Sequence, residues 1–275
     1  MLLRIESVTA YDYDAPPRRG TQYLRLTPRS MLDQTIVDWT IRAPGALTAW
    51  TDMFGNRCHT LTLKHLPQRL EISVAGLVET KDTAGILATD PETALPVHAY
   101  LRKSDYALPD DALMDLANGH RRRIIGDRLS GLHDLMSTVH RDVAYDESAT
   151  TVLTTAAEAL SLHRGVCQDH AHIMIAAARI LEVPARYVSG YLWTGWNGKT
   201  SSASHAWCEC WVERLGWVSF DPANCVSASE PYVRVATGFD YATAGPLRGI
   251  RVGGGAETLT VEVRLFREEQ AAQQQ

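Results

Sequence analysis

Gly165-Val166-Cys167-Gln168-Asp169-His170-Ala171-His172-Ile173-Met174-Ile175-Ala176-Ala177-Ala178-Arg179-Ile180-Leu181 is the stretch on which the fold turns. From Cys167 onward it is apolar on most sides, so it reads as a central helix that ends before Pro184. A thiol in the first turn of a helix sits among unpaired backbone N–H groups at the positive end of the helix dipole. That setting favours a thiolate and offers donors to an oxyanion, which suits a cysteine nucleophile. Such a nucleophile also requires a base within hydrogen-bond reach and a third group to orient that base.

Downstream, the pattern predicts strands over 185–193, 205–212 and 217–220. His205 opens the second and Asp221 closes the third, so both can lie at one end of a hairpin. A turn built on Arg214-Leu215-Gly216 would leave that pair four residues out of register, about 13 Å at strand rise. A bulge or a tighter turn has to absorb the offset.

Upstream, Leu129, Leu132, Leu135, Met136 and Val139 recur at intervals of three and four, which predicts a helix over 126–142. Thr155-Ala156-Ala157-Glu158 has capping-box spacing and starts a short helix that runs to about 163 and stops near Gly165. Residues 1–80 alternate polar and apolar, as in Thr21–Thr27 and Gln34–Ile41, with turn chemistry at Asp52-Met53-Phe54-Gly55-Asn56, and predict a small β-sandwich. The stretch 81–109, with prolines at 91, 96 and 109, reads as a linker laid over the surface. A last strand over 258–266 follows Gly253-Gly254-Gly255. The expected organisation is α+β: an N-terminal β domain (1–80), the linker (81–109), a catalytic domain (110–267) and a disordered tail (268–275).

Three motifs in order, Gly165-Val166-Cys167-Gln168-Asp169, Ser204-His205-Ala206-Trp207 and Gly216-Trp217-Val218-Ser219-Phe220-Asp221-Pro222, resemble the Cys, His and Asp motifs of the transglutaminase-like cysteine protease superfamily. Pro184-Ala185-Arg186-Tyr187-Val188-Ser189-Gly190-Tyr191 between them fits the same pattern, and Asp52–Asn56 with its flanking strands resembles the N-terminal domain of a bacterial branch. The resemblance runs from about Met1 to Phe266. It implies a papain-like core preceded by an N-terminal β-sandwich domain, with Cys167 as nucleophile, His205 as base and then acid, and Asp221 as the orienting group. The implied reaction is acyl transfer at an amide of a peptide or protein through a thioester, with no cofactor and no metal. Water as acceptor gives a peptidase or amidase; an amine gives transglutaminase-type transfer. In one departure from the family pattern, a bulky aromatic three positions after the nucleophile is replaced by His170, with His172 following, and a second imidazole there could perturb the thiol or attract a metal, two outcomes the sequence does not decide between.

Further cleft candidates are Gln168 in the first helical turn, Trp207 packed beside the base, and either Tyr145 or a loop amide as second oxyanion donor after the N–H of Cys167. Asp169 reads as structural, a cap for the helix or a partner for a neighbouring strand. The segment from Trp193 to Ser202, with Trp196 and two glycines, fits a flexible wall over the substrate and an ordinary hairpin loop equally well.

With 27 Lys and Arg against 32 Asp and Glu, a net charge of −5 and no long basic run, attraction to nucleic acid or to an anionic membrane is not expected. No apolar stretch reaches the length of a bilayer span, and Met1-Leu2-Leu3-Arg4-Ile5-Glu6 meets a charge early, so the cytoplasm is the expected location. Five cysteines, an odd number, argue against a disulfide framework. Two other classes compete with the enzyme. A structural zinc site would draw on His163, Cys167, His170, His172, Cys208 and Cys210, but Cys208 and Cys210 face away from His205 on a strand. An inactive binding module would keep the fold without needing an intact Cys, His and Asp set.

Overall fold

The computed structural model describes residues 1–90, 92–195 and 204–268. Six strands come first: β1 (Leu2–Tyr13), β2 (Arg19–Thr27), β3 (Gln34–Arg42), β4 (Leu47–Thr51), β5 (Arg57–Leu63) and β6 (Arg69–Thr80). A short strand, β7 (Ile86–Ala88), precedes the helices α1 (Asp111–Gly126) and α2 (Arg128–Asp142). Two-residue strands β8 (Ala144–Tyr145) and β9 (Arg164–Gly165) flank α3 (Ala156–Leu162), and α4 (Cys167–Ile180) follows. Then come β10 (Ala185–Leu192), β11 (Ser204–Val212), β12 (Gly216–Phe220), β13 (Tyr232–Gly238), the single turn α5 (Tyr241–Ala244), β14 (Leu247–Val252) and β15 (Glu257–Glu268).

The α+β class expected from the sequence holds, and α4 starts at Cys167. Thr155 and Glu158 form the capping box of α3, and His163 closes that helix in the left-handed conformation (φ 52°). The helix expected over 126–142 is the second of a pair. Asp110 caps α1 by accepting from the Leu113 N–H, and Asp127 caps α2 by accepting from Ser130.

Three sheets carry the molecule. The central one has the order β13-β10-β11-β12-β7, and α4 packs on it with Ile173, Met174 and Ala177 against Cys208, Cys210 and Phe220. The two others have the orders β15-β1-β6-β3 and β14-β2-β5-β4, and they enclose Tyr11, Leu24, Leu61, Leu70 and Ile72 as a sandwich. The first of these extends past the sandwich. The same face that buries Tyr11 and Ile72 buries Leu3, Ile5, Val263 and Leu265 against Tyr191, Val233 and Val235 of the central sheet.

Strand pairing corrects the expected boundaries. β15 pairs with β1 over their whole lengths, and β14 pairs with β2, so residues 247–268 complete the N-terminal sheets and do not join the central sheet. Glu268, assigned to a disordered tail from the sequence, is the last residue of β15, and 269–275 lie outside the described residues.

The segment read as a surface linker is built into the core. β7 pairs with β12, Tyr100 is fully buried against Trp217 and Phe239, and Asp90 is buried between Arg29 and Arg186. Arg186 continues to Glu209 at 2.6 Å, and Glu209 to Arg234 at 2.8 Å, so one buried ionic chain ties the first 90 residues to the central sheet. The Asp52–Asn56 turn reinforces this joint: Asn56 donates to the Thr237 carbonyl at 2.7 Å and accepts from the Thr237 N–H at 2.8 Å, pairing like a strand residue with β13. Asp52 holds the turn by accepting from the N–H groups of Phe54 and Asn56, both at 3.0 Å.

Candidate active site

Cys167 occupies the first position of α4 behind an apolar N-cap, Val166, which offers no side-chain oxygen to the first turn. Ser, Thr, Asp or Asn at that place would consume a helix donor; valine leaves those N–H groups to other acceptors. The helix start is held from the other direction. Asp169 accepts from the Val166 N–H at 2.8 Å and from the Thr150 hydroxyl at 2.6 Å, the structural role expected for it. Its carboxyl is pushed up by burial, only partly offset by those two hydrogen bonds.

His205 and Asp221 meet although they are not opposite each other. The hairpin pairs Cys208 with Phe220 and Val212 with Gly216, so its three-residue turn is centred on Arg214, one residue earlier than expected, with left-handed backbone at Arg214 (φ 69°) and Gly216 (φ 88°). Continuing the register puts Asp221 across from Trp207 and leaves His205 two residues away on the same face. Diagonal neighbours are about 7–8 Å apart at the backbone, a span that an imidazole and a carboxylate bridge. Nε2 of His205 lies 2.7 Å from Oδ2 of Asp221.

Asp221 is fully enclosed by donors. Oδ2 also accepts from the Tyr232 hydroxyl and from Asn224 Nδ2, both at 2.7 Å, while Oδ1 accepts from the N–H groups of Ala223 at 3.1 Å and Asn224 at 3.3 Å. Burial pushes the carboxyl up, but His205, then Asn224 and Tyr232, outweigh it and hold it below its ordinary value. His205 behaves in the opposite sense. Burial, the largest single influence, pushes its pKa down, yet hydrogen bonds to Asp221 and to Cys167, together with their charges, raise it to about 10. With Nε2 on Asp221, Nδ1 is the nitrogen left to Cys167.

The remaining sequence candidates divide. Trp207 is buried and stacks on His205 with ring centroids 6.2 Å apart. Gln168 lines the cleft beside Cys167 and donates to the Val152 carbonyl at 3.2 Å. Tyr145 stands beside Cys167 but is exposed and does not line the cleft; partial burial and then the charge of Cys167 push its phenol up to about 12.

The open question of His170 and His172 is answered by what their rings contact. Both ring nitrogens of His170 lie 2.9 Å from carbonyl oxygens, those of Val166 and Val143, so the ring is a strut between the start of α4 and the end of α2. Nε2 of His172 accepts from the Tyr241 N–H at 3.1 Å, deep in the core, and burial lowers its pKa to about 3. No group of three or more metal-ligating side chains occurs among the described residues, and Cys208 and Cys210 are buried in the main core. All five cysteines are free thiols. Of the segment from Trp193 to Ser202, residues 196–202 lie outside the described residues.

Sequence reasoning missed Tyr232 and Asn224, and it missed the far wall of the cleft. Asn224 carries a local signal, an Asp-Pro-Ala-Asn turn whose first side chain caps its own backbone. Tyr232 carries none, because it belongs to a strand that the pattern did not reveal. The cleft has a volume of about 310 Å³ and lies between Cys167 and His205 on one side and β1 and β15 on the other. No described helix is long and apolar enough to cross a membrane.

Comparison with known proteins follows the same division of the chain. Residues 121–222 match the transglutaminase-like superfamily, and residues 3–79 match the bacterial transglutaminase-like N-terminal region. An uncharacterized protein of Mycobacterium leprae (strain TN) is 31% identical over 278 residues, covering 96% of this chain and 98% of its own. A protein-glutamine gamma-glutamyltransferase of Pseudomonas aeruginosa is 32% identical over 91 residues, 30% of this chain and 12% of its own. Among solved structures, a candidate cysteine protease from Cytophaga hutchinsonii superimposes with a TM-score of 0.74 at 24% identity, covering 98% of this chain and 92% of its own, a likeness of fold. With both parts of the chain matched in order and a relative aligned from end to end, the chain belongs to the transglutaminase-like superfamily, in the branch that carries the bacterial N-terminal region.

Proposed function

We propose that the protein is a cysteine-dependent amide-cleaving enzyme, a peptidase or amidase, working through Cys167, His205 and Asp221. The observation that carries this reading is the 2.7 Å contact of Asp221 with Nε2 of His205, whose ring shares one cleft with the thiol at the uncapped start of α4. The proton of the Cys167 thiol rests on Nδ1 of His205 as an ion pair, and the sulfur bonds to the carbonyl carbon of the amide. The oxygen becomes anionic and accepts from the free N–H groups at the start of α4. His205 then passes its proton to the departing nitrogen, the C–N bond breaks and a thioester remains on Cys167. Water gives a proton to His205 and attacks the thioester; the acid leaves, and the ion pair of thiolate and protonated ring is restored. Asp221 fixes the ring and balances its charge throughout.

Gln168 borders the reacting thiol, and Trp207 holds the imidazole plane. An amine entering in place of water would give transglutaminase-type transfer on the same residues. Product analysis with a generic peptide amide, with and without added primary amine, tests both. Free acid as the main product in the presence of amine supports hydrolysis; an amine adduct in excess supports transfer; turnover retained in Cys167→Ala overturns either.

A further inference from the structure

Half of the floor of the cleft, the part supplied by β15, comes from outside both matched regions. β15 pairs with β1 so that Val263 lies opposite Ser7, Val261 opposite Thr9 and Leu259 opposite Tyr11, and all six side chains line the cleft that holds Cys167. Val263 is packed into the core beneath, but Leu259 and Val261, on the same face, remain 53% and 49% exposed. Residues of this kind normally continue the buried row of their strand. Here no element among the described residues covers them, and they line the same cleft as the candidate nucleophile.

Leu26 and Leu247, from the opposite sheet of the sandwich, close one end of the cleft. Among the described residues no Asp, Glu, Lys or Arg lines it, so His205 is the only lining side chain there that carries a positive charge. A cationic substituent would lose its hydration in this cleft without meeting a carboxylate, and an anionic one would meet only the His205 ring, already paired with Asp221, whereas an aliphatic one would bury its surface on Leu259 and Val261.

We propose that the cleft selects an amide substrate bearing an uncharged apolar side chain beside the reacting bond, with Leu259 and Val261 as the specificity-determining residues. The proposal rests on Cys167 being the nucleophile. It makes the sandwich, completed by β15, the part of the enzyme that chooses the substrate.

Three iodoacetamides of one length test it: N-hexyl iodoacetamide, its 5-carboxypentyl analogue and its 5-aminopentyl analogue, which share a warhead and differ only in the tail. Alkylation rates at Cys167 are read by peptide mass mapping and normalised, within each protein, to unsubstituted iodoacetamide. The wild-type protein is expected to prefer the hexyl tail over either charged tail by about tenfold or more. In Val261→Asp, and separately in Leu259→Asp, the hexyl-to-aminopentyl ratio is expected to fall at least fivefold; because it is a ratio within one protein, a general loss of reactivity cancels. Equal rates with all three tails in the wild type, or a hexyl preference that survives both substitutions, overturn the specificity while leaving Cys167 as nucleophile. Failure of unsubstituted iodoacetamide to modify Cys167 overturns the nucleophile itself, and this proposal with it.

Discussion

Asp221 lies two residues off the register position of His205 and still reaches its Nε2 at 2.7 Å. The contact is diagonal across a hairpin, so it depends on the side chains leaning toward each other and on whatever holds the carboxylate in that rotamer. Tyr232 and Asn224 supply that hold, one from β13 and one from the turn after Asp221. Replacing Tyr232 by Phe removes a buried 2.7 Å hydrogen bond and keeps the ring on Trp207. The expected result is a stability loss of about 1 kcal/mol in denaturant titration. Turnover should fall roughly tenfold with little change in KM, since the residue orients Asp221 without facing substrate.

Asp221→Asn keeps the shape and removes the charge. Turnover is expected to drop about 10²–10⁴-fold, because the ring loses both its orienting acceptor and the balance for its positive charge. Steady-state kinetics beside the wild type measure it, and a drop of less than about fivefold would exclude Asp221 from the relay.

The same ion pair sets a pH window for stability. His205 is raised from 6.5 to about 10, so its contribution is complete below about pH 6.5 and is lost as pH climbs through 10. Asp221 is depressed, so its contribution is present above its ordinary value near 3.8 and is lost on acidification. The melting temperature of the wild type should therefore decline between pH 7 and pH 10. That of Asp221→Asn should decline less over the same range, which thermal scans in matched buffers can read.

The joint between sandwich and core rests on buried charge. Asp90 accepts from both Arg29 and Arg186, with Arg186 itself fully enclosed. Asp90→Ala leaves two guanidinium groups short of a partner and is expected to cost about 3–5 kcal/mol in chemical denaturation. A cost under 1 kcal/mol would show that the joint is held by its apolar contacts instead.

Gly190 gives the most local test of the site's packing. A Cβ there would sit 2.1 Å from the Val233 carbonyl oxygen and 2.8 Å from the Trp207 ring, the ring that backs His205. Gly190→Ala should destabilise the protein by about 1–3 kcal/mol and lower turnover, whereas a mutation at exposed Ile125 should do neither.

The start of α4 was legible because a local pattern, an apolar run opened by Cys167 and closed by Pro184, fixes a helix wherever it packs. The His205–Asp221 pair was half legible: the motifs were visible, but the offset depended on left-handed backbone at Arg214, which sequence alone did not reveal. β13 was hidden because Arg234 sits in a strand buried on both faces, neutralised by Glu209, so its charge reads as exposure when the residue is enclosed. The stretch 81–109 misled for a related reason, since its prolines signal an open chain while Tyr100 and Asp90 anchor it. Which sheet β15 would join had no local signal at all, and with it went the floor of the cleft.

The most direct measurement is an acid-quenched mass analysis of the protein mixed with a generic peptide amide, mapped to the peptide that contains Cys167. An acyl group on Cys167 that forms and decays at the rate of product release, and no turnover in Cys167→Ala, is the expected result. Product formation that continues undiminished in Cys167→Ala would contradict the mechanism at its centre.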